Sequence, residues 1–177
     1  MRLFLAVDLS EPVRARVAEA IAAERAVVKA KWARAESLHL TLVFIGELEP
    51  ERLPEIIARS TLVAARQHTF QLMLEGAGTF GPAPHPRVLW LGVTGPSVHS
   101  LAAELTQALD VVSEHAEYHP HLTLARSAAM KGDKALAQIA HRLEGKQFGS
   151  WRVQQFTLYE TVGGRYRPLA TIGLGEP

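Results

Sequence analysis

Two periods of hydrophobic recurrence alternate along the chain and divide it into strands and helices. Residues 2–7 are a short apolar run suited to a buried strand, and Ser10 and Pro12 then mark the start of a helix. Val13, Val17, Ala20, Ile21, Val27 and Val28 fall near one face of that helix, which the spacing carries to about residue 30. An extended piece follows at 31–34, then a strand over 38–45 that Gly46 should end. Residues 51–66 repeat the helical stripe with Leu53, Ile56, Ile57, Leu62 and Val63, and residues 69–75 alternate Phe70, Leu72 and Leu74 against Gln71 and Met73. Three glycines and three prolines within 76–86 predict a loop there. A strand over 87–93, a helix over 96–114, a strand over 121–126 and a helix over 134–143 come next, the last with Asp133 at its N-cap and Gly145 as its stop. Residues 151–159 read as one strand with a bulge, because the apolar positions change phase between Val153 and Phe156. A Gly163-Gly164 turn leads into a final strand over 166–174.

Strand–helix–strand–strand–helix–strand occurs about twice in this order, and no low-complexity linker divides the copies. The expected class is α+β. Two pseudo-symmetric lobes of antiparallel sheet carry their helices on the outer faces, with a cleft between them, as one bilobal unit over 1–177.

One phrase occurs in each copy: His39-Leu40-Thr41-Leu42 and His121-Leu122-Thr123-Leu124. In a strand, alternate side chains point to opposite faces, so the leucines bury while a histidine and a threonine are displayed. Two such strands facing one another offer two imidazoles and two hydroxyls to one small substrate. That set suits phosphoryl transfer without a metal. A neutral imidazole takes a proton from attacking water, an imidazolium gives one to the leaving oxygen, and hydroxyls donate to the non-bridging oxygens. Either histidine can hold either role on these grounds. Taken singly, each phrase would read as an ordinary half-buried strand; the identical repetition argues for a shared site.

Composition narrows the alternatives. Hydrophobic residues make up 47% of the 177 positions, ample for a core, and the net charge of +1 argues against a broad duplex-coating basic face. There is no cysteine, so disulfides, thiolate metal sites and a cysteine nucleophile are excluded. The apolar start is too short and too soon interrupted at Asp8 for a signal peptide or a membrane span, and the expected location is the cytoplasm.

The chain resembles the two-histidine (2H) phosphoesterases, and within them the RNA 2′,3′-cyclic phosphodiesterases once described as 2′-5′ RNA ligases. The resemblance rests on the opening 2–7 run, on residues 38–46 with Trp32 ahead of them, on residues 86–93, on residues 120–126 and on Phe156-Thr157-Leu158-Tyr159. It implies that His39 is the proton donor and His121 the proton acceptor, with Thr41 and Thr123 holding the phosphate. The implied reaction opens the 2′,3′-cyclic phosphate of an RNA end to a 2′-phosphate and needs no metal; a cyclic nucleotide is the other expected substrate, and the protein is expected to be a monomer with no cofactor. The chain departs from the family in Thr161, where a serine is usual, and in the shortness of its glycine turn.

Beyond the motifs, Arg126, Arg87, Phe44 and Tyr166 are candidate substrate-binding residues. Arg126 would fall on the face opposite His121 in an ideal strand, so it reaches the phosphate only through a twist or a strand end. Phe44 and Trp32 can stack a base, although aromatics beside strands are more often core. Arg165-Tyr166-Arg167 pairs cations with an aromatic next to the glycine turn. His119 and His121, with His115 nearby, form the competing metal reading, which lacks a carboxylate beside the first motif. His68, His85, His99 and His141 read as isolated and solvent-facing. Two functional alternatives remain at this level: the reverse reaction, which forms a 2′-5′ bond, and an RNA-end-binding module without turnover.

Overall fold

The computed structural model describes residues 1–175. Nine strands and four helices follow one another as β1 (Arg2–Asp8), α1 (Glu11–Arg25), β2 (Lys31–Trp32), β3 (His39–Glu47), α2 (Leu53–Ala65), β4 (Phe70–Phe80) and β5 (Val88–Thr94), then α3 (Pro96–Ala108), β6 (His121–Arg126), α4 (Lys134–Leu143), β7 (Gln147–Val153), β8 (Gln155–Val162) and β9 (Arg165–Gly173). The strands form two antiparallel sheets. One has the order β3-β1-β8-β9 and the other β2-β6-β5-β4-β7. The expected α+β class with two sheet-based lobes is what is found.

The lobes are not simply the two halves of the chain. Helix α2 packs on β9 and helix α3 on β3, so both cover the four-stranded sheet, whereas α1 packs on β7 and α4 on β4 and β5 of the five-stranded sheet. Each helix that links a strand to the next motif strand therefore lies on the opposite lobe. Between α1 and α4, the Arg142 guanidinium donates to both oxygens of Glu24, at 3.2 and 2.6 Å. Leu5, Leu40, Leu91 and Leu158 are fully buried in the sheets and Leu122 nearly so. Each such side chain contributes about 1.5–3 kcal/mol through burial.

Several boundaries differ from the sequence expectation. Helix α1 stops at Arg25, and Val27, counted in its apolar stripe, is 77% exposed in the turn beyond it. Helix α3 stops at Ala108, leaving Val112 at 90% exposure. Apolar spacing alone overran both ends. The second helix begins with a short 3-10 turn at Pro50–Arg52. Gly46 lies inside β3 rather than ending it; its positive φ of 90° sits beside a register shift against β1. Strand β4 continues through Gly76 and Gly78 to Phe80, paired with β5, so only the later part of the Pro-Gly stretch is loop. The phase change near Val153 is not a bulge. It is the point where the chain leaves β7 in one sheet and enters β8 in the other. The Gly163-Gly164 turn joins β8 to β9 with φ positive at both residues, as a tight hairpin requires.

Strand β6 and helix α4 agree with expectation, and Asp133 caps α4 by accepting from the Ala135 backbone N–H at 2.8 Å. No helix among the described residues is long and apolar enough to cross a membrane.

Candidate active site

Both motif strands are built in one way. In β3, Thr41 lies opposite Ala6 and Val43 opposite Leu5, so Leu42 has no partner on β1. In β6, Thr123 lies opposite Trp90 and Ala125 opposite Leu89, so Leu124 has no partner on β5. These are matching one-residue bulges. Each lets two consecutive residues bury, Leu42 with Val43 and Leu124 with Ala125, and returns the next residue to the histidine's face. His39, Thr41 and Phe44 share one face, and His121, Thr123 and Arg126 share the other. The expectation that Arg126 lies opposite His121 is thereby corrected, because ideal alternation does not include the bulge.

His39 sits in a ring cluster. Phe4 stacks on it at 5.0 Å and Tyr159 at 5.8 Å, and Tyr166 meets it edge-on at 4.9 Å. Such pairs contribute about 0.5–1.5 kcal/mol each beyond area burial and fix the ring plane. Burial lowers the His39 pKa from its ordinary value; a hydrogen bond with the Ser37 backbone and the charge of Asp8 oppose this, and Arg14 adds to it. Asp8 ends β1 directly opposite His39. Its Oδ1 accepts from the Tyr159 hydroxyl at 2.6 Å and its Oδ2 from Thr157 at 3.1 Å. Burial, then that bond to Asp8, raises the Tyr159 pKa, so its hydroxyl remains a donor.

His121 has a second cluster. Phe80 meets its ring edge-on at 5.0 Å, and His119 and Trp90 lie at 5.7 and 6.4 Å. Its Nδ1 is 2.7 Å from the His119 carbonyl, which can only accept, so Nδ1 carries the proton and Nε2 keeps its lone pair in the neutral ring. Burial lowers the His121 pKa; the bond to the His119 carbonyl opposes this, while the charges of His119, Arg126 and His115 add to it. A carboxylate, Asp8, thus stands opposite His39, whereas the corresponding position opposite His121 is Gly92 and the nearby guanidinium is Arg126.

The motif strands adjoin where the two sheets meet. Tyr118, just ahead of β6, donates its hydroxyl to the Thr41 carbonyl at 2.7 Å and so ties the second motif's approach to the first motif strand. Burial raises the Tyr118 pKa, and the group stays a donor.

Among the other candidates, Phe44 is 69% exposed beside Phe4, and Tyr166 is 42% exposed against His39. Both can meet a ligand. Arg87 lines a shallow recess with Lys31, Arg126 and Met130 and has no ring contact with either histidine among the described residues. Trp32 is half-buried against the core, and its Nε1 donates to the Val28 carbonyl at 3.0 Å, which makes it structural. His68, His85, His99 and His141 lie outside both clusters. Among the described residues no three His, Asp or Glu side chains gather as a metal site. Sequence reasoning missed Asp8, Tyr159, Phe80 and Trp90, which reach the histidines from neighbouring strands. Only a pairing register could have found them.

Comparison with known proteins agrees with this architecture. The model of the 2′-5′ RNA ligase superfamily matches residues 9–165, and the chain belongs to that superfamily. It is 33% identical to an RNA 2′,3′-cyclic phosphodiesterase of Thermus thermophilus, covering 97% of this chain and 87% of that one. It is 32% identical to an RNA 2′,3′-cyclic phosphodiesterase of Methanothermobacter thermautotrophicus, covering 89% and 88%. A crystal structure of a Thermus thermophilus protein superposes with a TM-score of 0.82 at 30% identity over 99% of both chains. E. coli LigT in complex with 3′-AMP superposes with a TM-score of 0.75 at 28% identity, covering 98% of this chain and 97% of that one.

Proposed function

We propose that the chain hydrolyses RNA 2′,3′-cyclic phosphate ends to 2′-phosphates by acid–base catalysis between His39 and His121, without a metal. The observation that carries this reading is the matched construction of the two motif strands, each presenting a histidine and a threonine on one face beside the other strand. The names of the relatives and the 3′-AMP complex of LigT support the substrate class.

In this mechanism the cyclic phosphate lies between the strands, with Thr41 and Thr123 donating to its non-bridging oxygens. His121 Nε2, the ring nitrogen left without a proton, takes one from a water as the water oxygen attacks phosphorus. The P–O3′ bond breaks, and the His39 imidazolium gives its proton to O3′. The products are a 3′-hydroxyl and a 2′-phosphate, with the two histidines' protonation states exchanged until solvent resets them. The Asp8 carboxylate, which favours a protonated His39, and the Arg126 charge, which favours a neutral His121, support this direction. Run backwards with a 5′-hydroxyl in place of water, the same groups would form a 2′-5′ bond, the reaction for which the matching superfamily is named.

The deciding experiment is turnover of a short RNA ending in a 2′,3′-cyclic phosphate, in EDTA, by the wild type, His39→Ala and His121→Ala. Formation of the 2′-phosphate end at a rate that falls by about 10³-fold or more in each variant supports the mechanism. Loss of activity in EDTA, or retained turnover in either variant, overturns it.

A further inference from the structure

The two motif strands share a backbone design, but their partner strands differ at the position opposite the histidine. Opposite His39 stands Asp8, and opposite His121 stands Gly92. A Cβ at Gly92 would lie 2.7 Å from the Glu75 carbonyl oxygen, so the second lobe has no room for a side chain there. At this position the pseudo-symmetry is broken by a carboxylate. We propose that Asp8 is a positioning residue whose carboxylate, clamped by Thr157 and Tyr159, holds the His39 imidazolium in place as the proton donor.

This rests on the reading of His39 as the donor and adds the group that makes it one. Both oxygens of Asp8 are engaged, by the Tyr159 hydroxyl at 2.6 Å and the Thr157 hydroxyl at 3.1 Å, and its backbone carbonyl accepts from Trp151 Nε1 at 3.1 Å. Thr157 is only 3% exposed, so the carboxylate is held from the protein side and cannot swing into solvent without leaving two donors unpaired. The groups facing His39 are Phe4 and Asp8 from β1, Arg14 from α1, Tyr159 from β8 and Tyr166 from β9. Asp8 is the one anion among them. Arg14 would oppose the imidazolium, but its guanidinium donates to the Ala35 and Leu38 carbonyls, which fixes it in the segment leading to the motif. Burial and the Arg14 charge favour the neutral ring, and the Asp8 carboxylate works against both, so it raises the share of His39 that carries a proton to give. Tyr159 links the two functions: its hydroxyl fixes the carboxylate while its ring stacks on the imidazole that the carboxylate serves.

The test combines ring-nitrogen NMR titration with kinetics on adenosine 2′,3′-cyclic phosphate for the wild type, Asp8→Asn and Asp8→Glu. In Asp8→Asn the His39 titration should move to lower pH while that of His121 stays, and kcat at pH 7.5 should fall about tenfold with KM little changed. Asp8→Glu, which keeps the charge, should recover part of the rate. Where Asp8→Asn does not fold, the wild type suffices: the Asp8 Cγ resonance should show a step at the His39 midpoint, and that step should vanish in His39→Gln. An unmoved His39 titration, a missing step, or wild-type kcat in Asp8→Asn while His39→Ala is dead would each overturn the inference. Full activity in His39→Ala would instead remove the proton-donor reading, with the titrations still reporting whether Asp8 and His39 are coupled.

Discussion

Phe44 and Arg126 occupy the same place in two strands built alike, each turned onto its histidine's face by a bulge that leaves one leucine unpaired. One lobe thus offers an aromatic ring where the other offers a guanidinium. An RNA end carries both a flat base and a charged phosphate. The prediction is that the two positions divide that recognition between them.

For Arg126, the expected loss on substitution by alanine is about 10–100-fold in kcat/KM, the range for a charge-assisted hydrogen bond. Arg126→Lys should recover only part of it, since lysine lacks the planar fork. Steady-state kinetics on a cyclic nucleotide and on a short RNA measures both. Unchanged kcat/KM on the two substrates would exclude contact with the ligand.

Phe44 is exposed, so Phe44→Ala should change unfolding free energy by less than about 0.5 kcal/mol. Its effect belongs in binding: KM for an RNA end should rise about tenfold, the value of one lost stacking contact. A large drop in stability with unchanged KM would show that the ring serves the core instead.

Stability should also depend on pH through the two histidines. Burial holds both below the ordinary value of 6.5, so the folded state binds these protons less readily than the unfolded chain. The sign follows: this stabilisation is complete above about pH 6.5 and is lost as pH falls through the lowered folded values. Urea denaturation between pH 8 and 5 should show a decline over that range, flatter in the double variant His39→Gln, His121→Gln. An identical slope in the variant would place the responsible protons elsewhere.

Gly78 has the Trp90 ring where a side chain would begin, and Trp90 packs on His119 at 4.7 Å. Gly78→Ala must therefore push the indole, at about 1–3 kcal/mol of stability. Because the same ring helps seat the His119–His121 pair, kcat should fall as well. Thermal unfolding and kinetics on one preparation test the coupling; a neutral variant would mean that the strand shifts instead.

The Tyr118 hydroxyl bond to the Thr41 carbonyl spans the two motif segments. Tyr118→Phe should cost about 1 kcal/mol. A loss of rate larger than the loss of stability explains would show that the bond sets the spacing of the motifs.

How much of this was legible from residues alone follows the range of the physics involved. His39, Thr41, His121 and Thr123 came from a local pattern, and alternation predicted the buried leucines between them. Asp8, Tyr159 and Phe80 did not, since nothing local says that residue 8 will lie across from residue 39. Arg126 was misplaced for a related reason: a bulge is a property of two strands, whereas alternation belongs to one. The helix ends at Arg25 and Ala108 were overrun because valines beyond them continue the apolar spacing without being buried. The crossing at 153–155 left a signal, the change of phase, but a bulge and a change of sheet produce the same one.

The exchange of α1 and α3 between the lobes has a mechanical consequence. Among the described residues the polypeptide passes from one lobe to the other six times, at the ends of β1, β2, α2, β5, α3 and β7, so the sheets are laced rather than hinged. Spreading them would pull on every lace together, and no single joint could yield. The expected consequence is that the space between the motif strands keeps its width when a ligand enters, instead of opening and closing about a hinge.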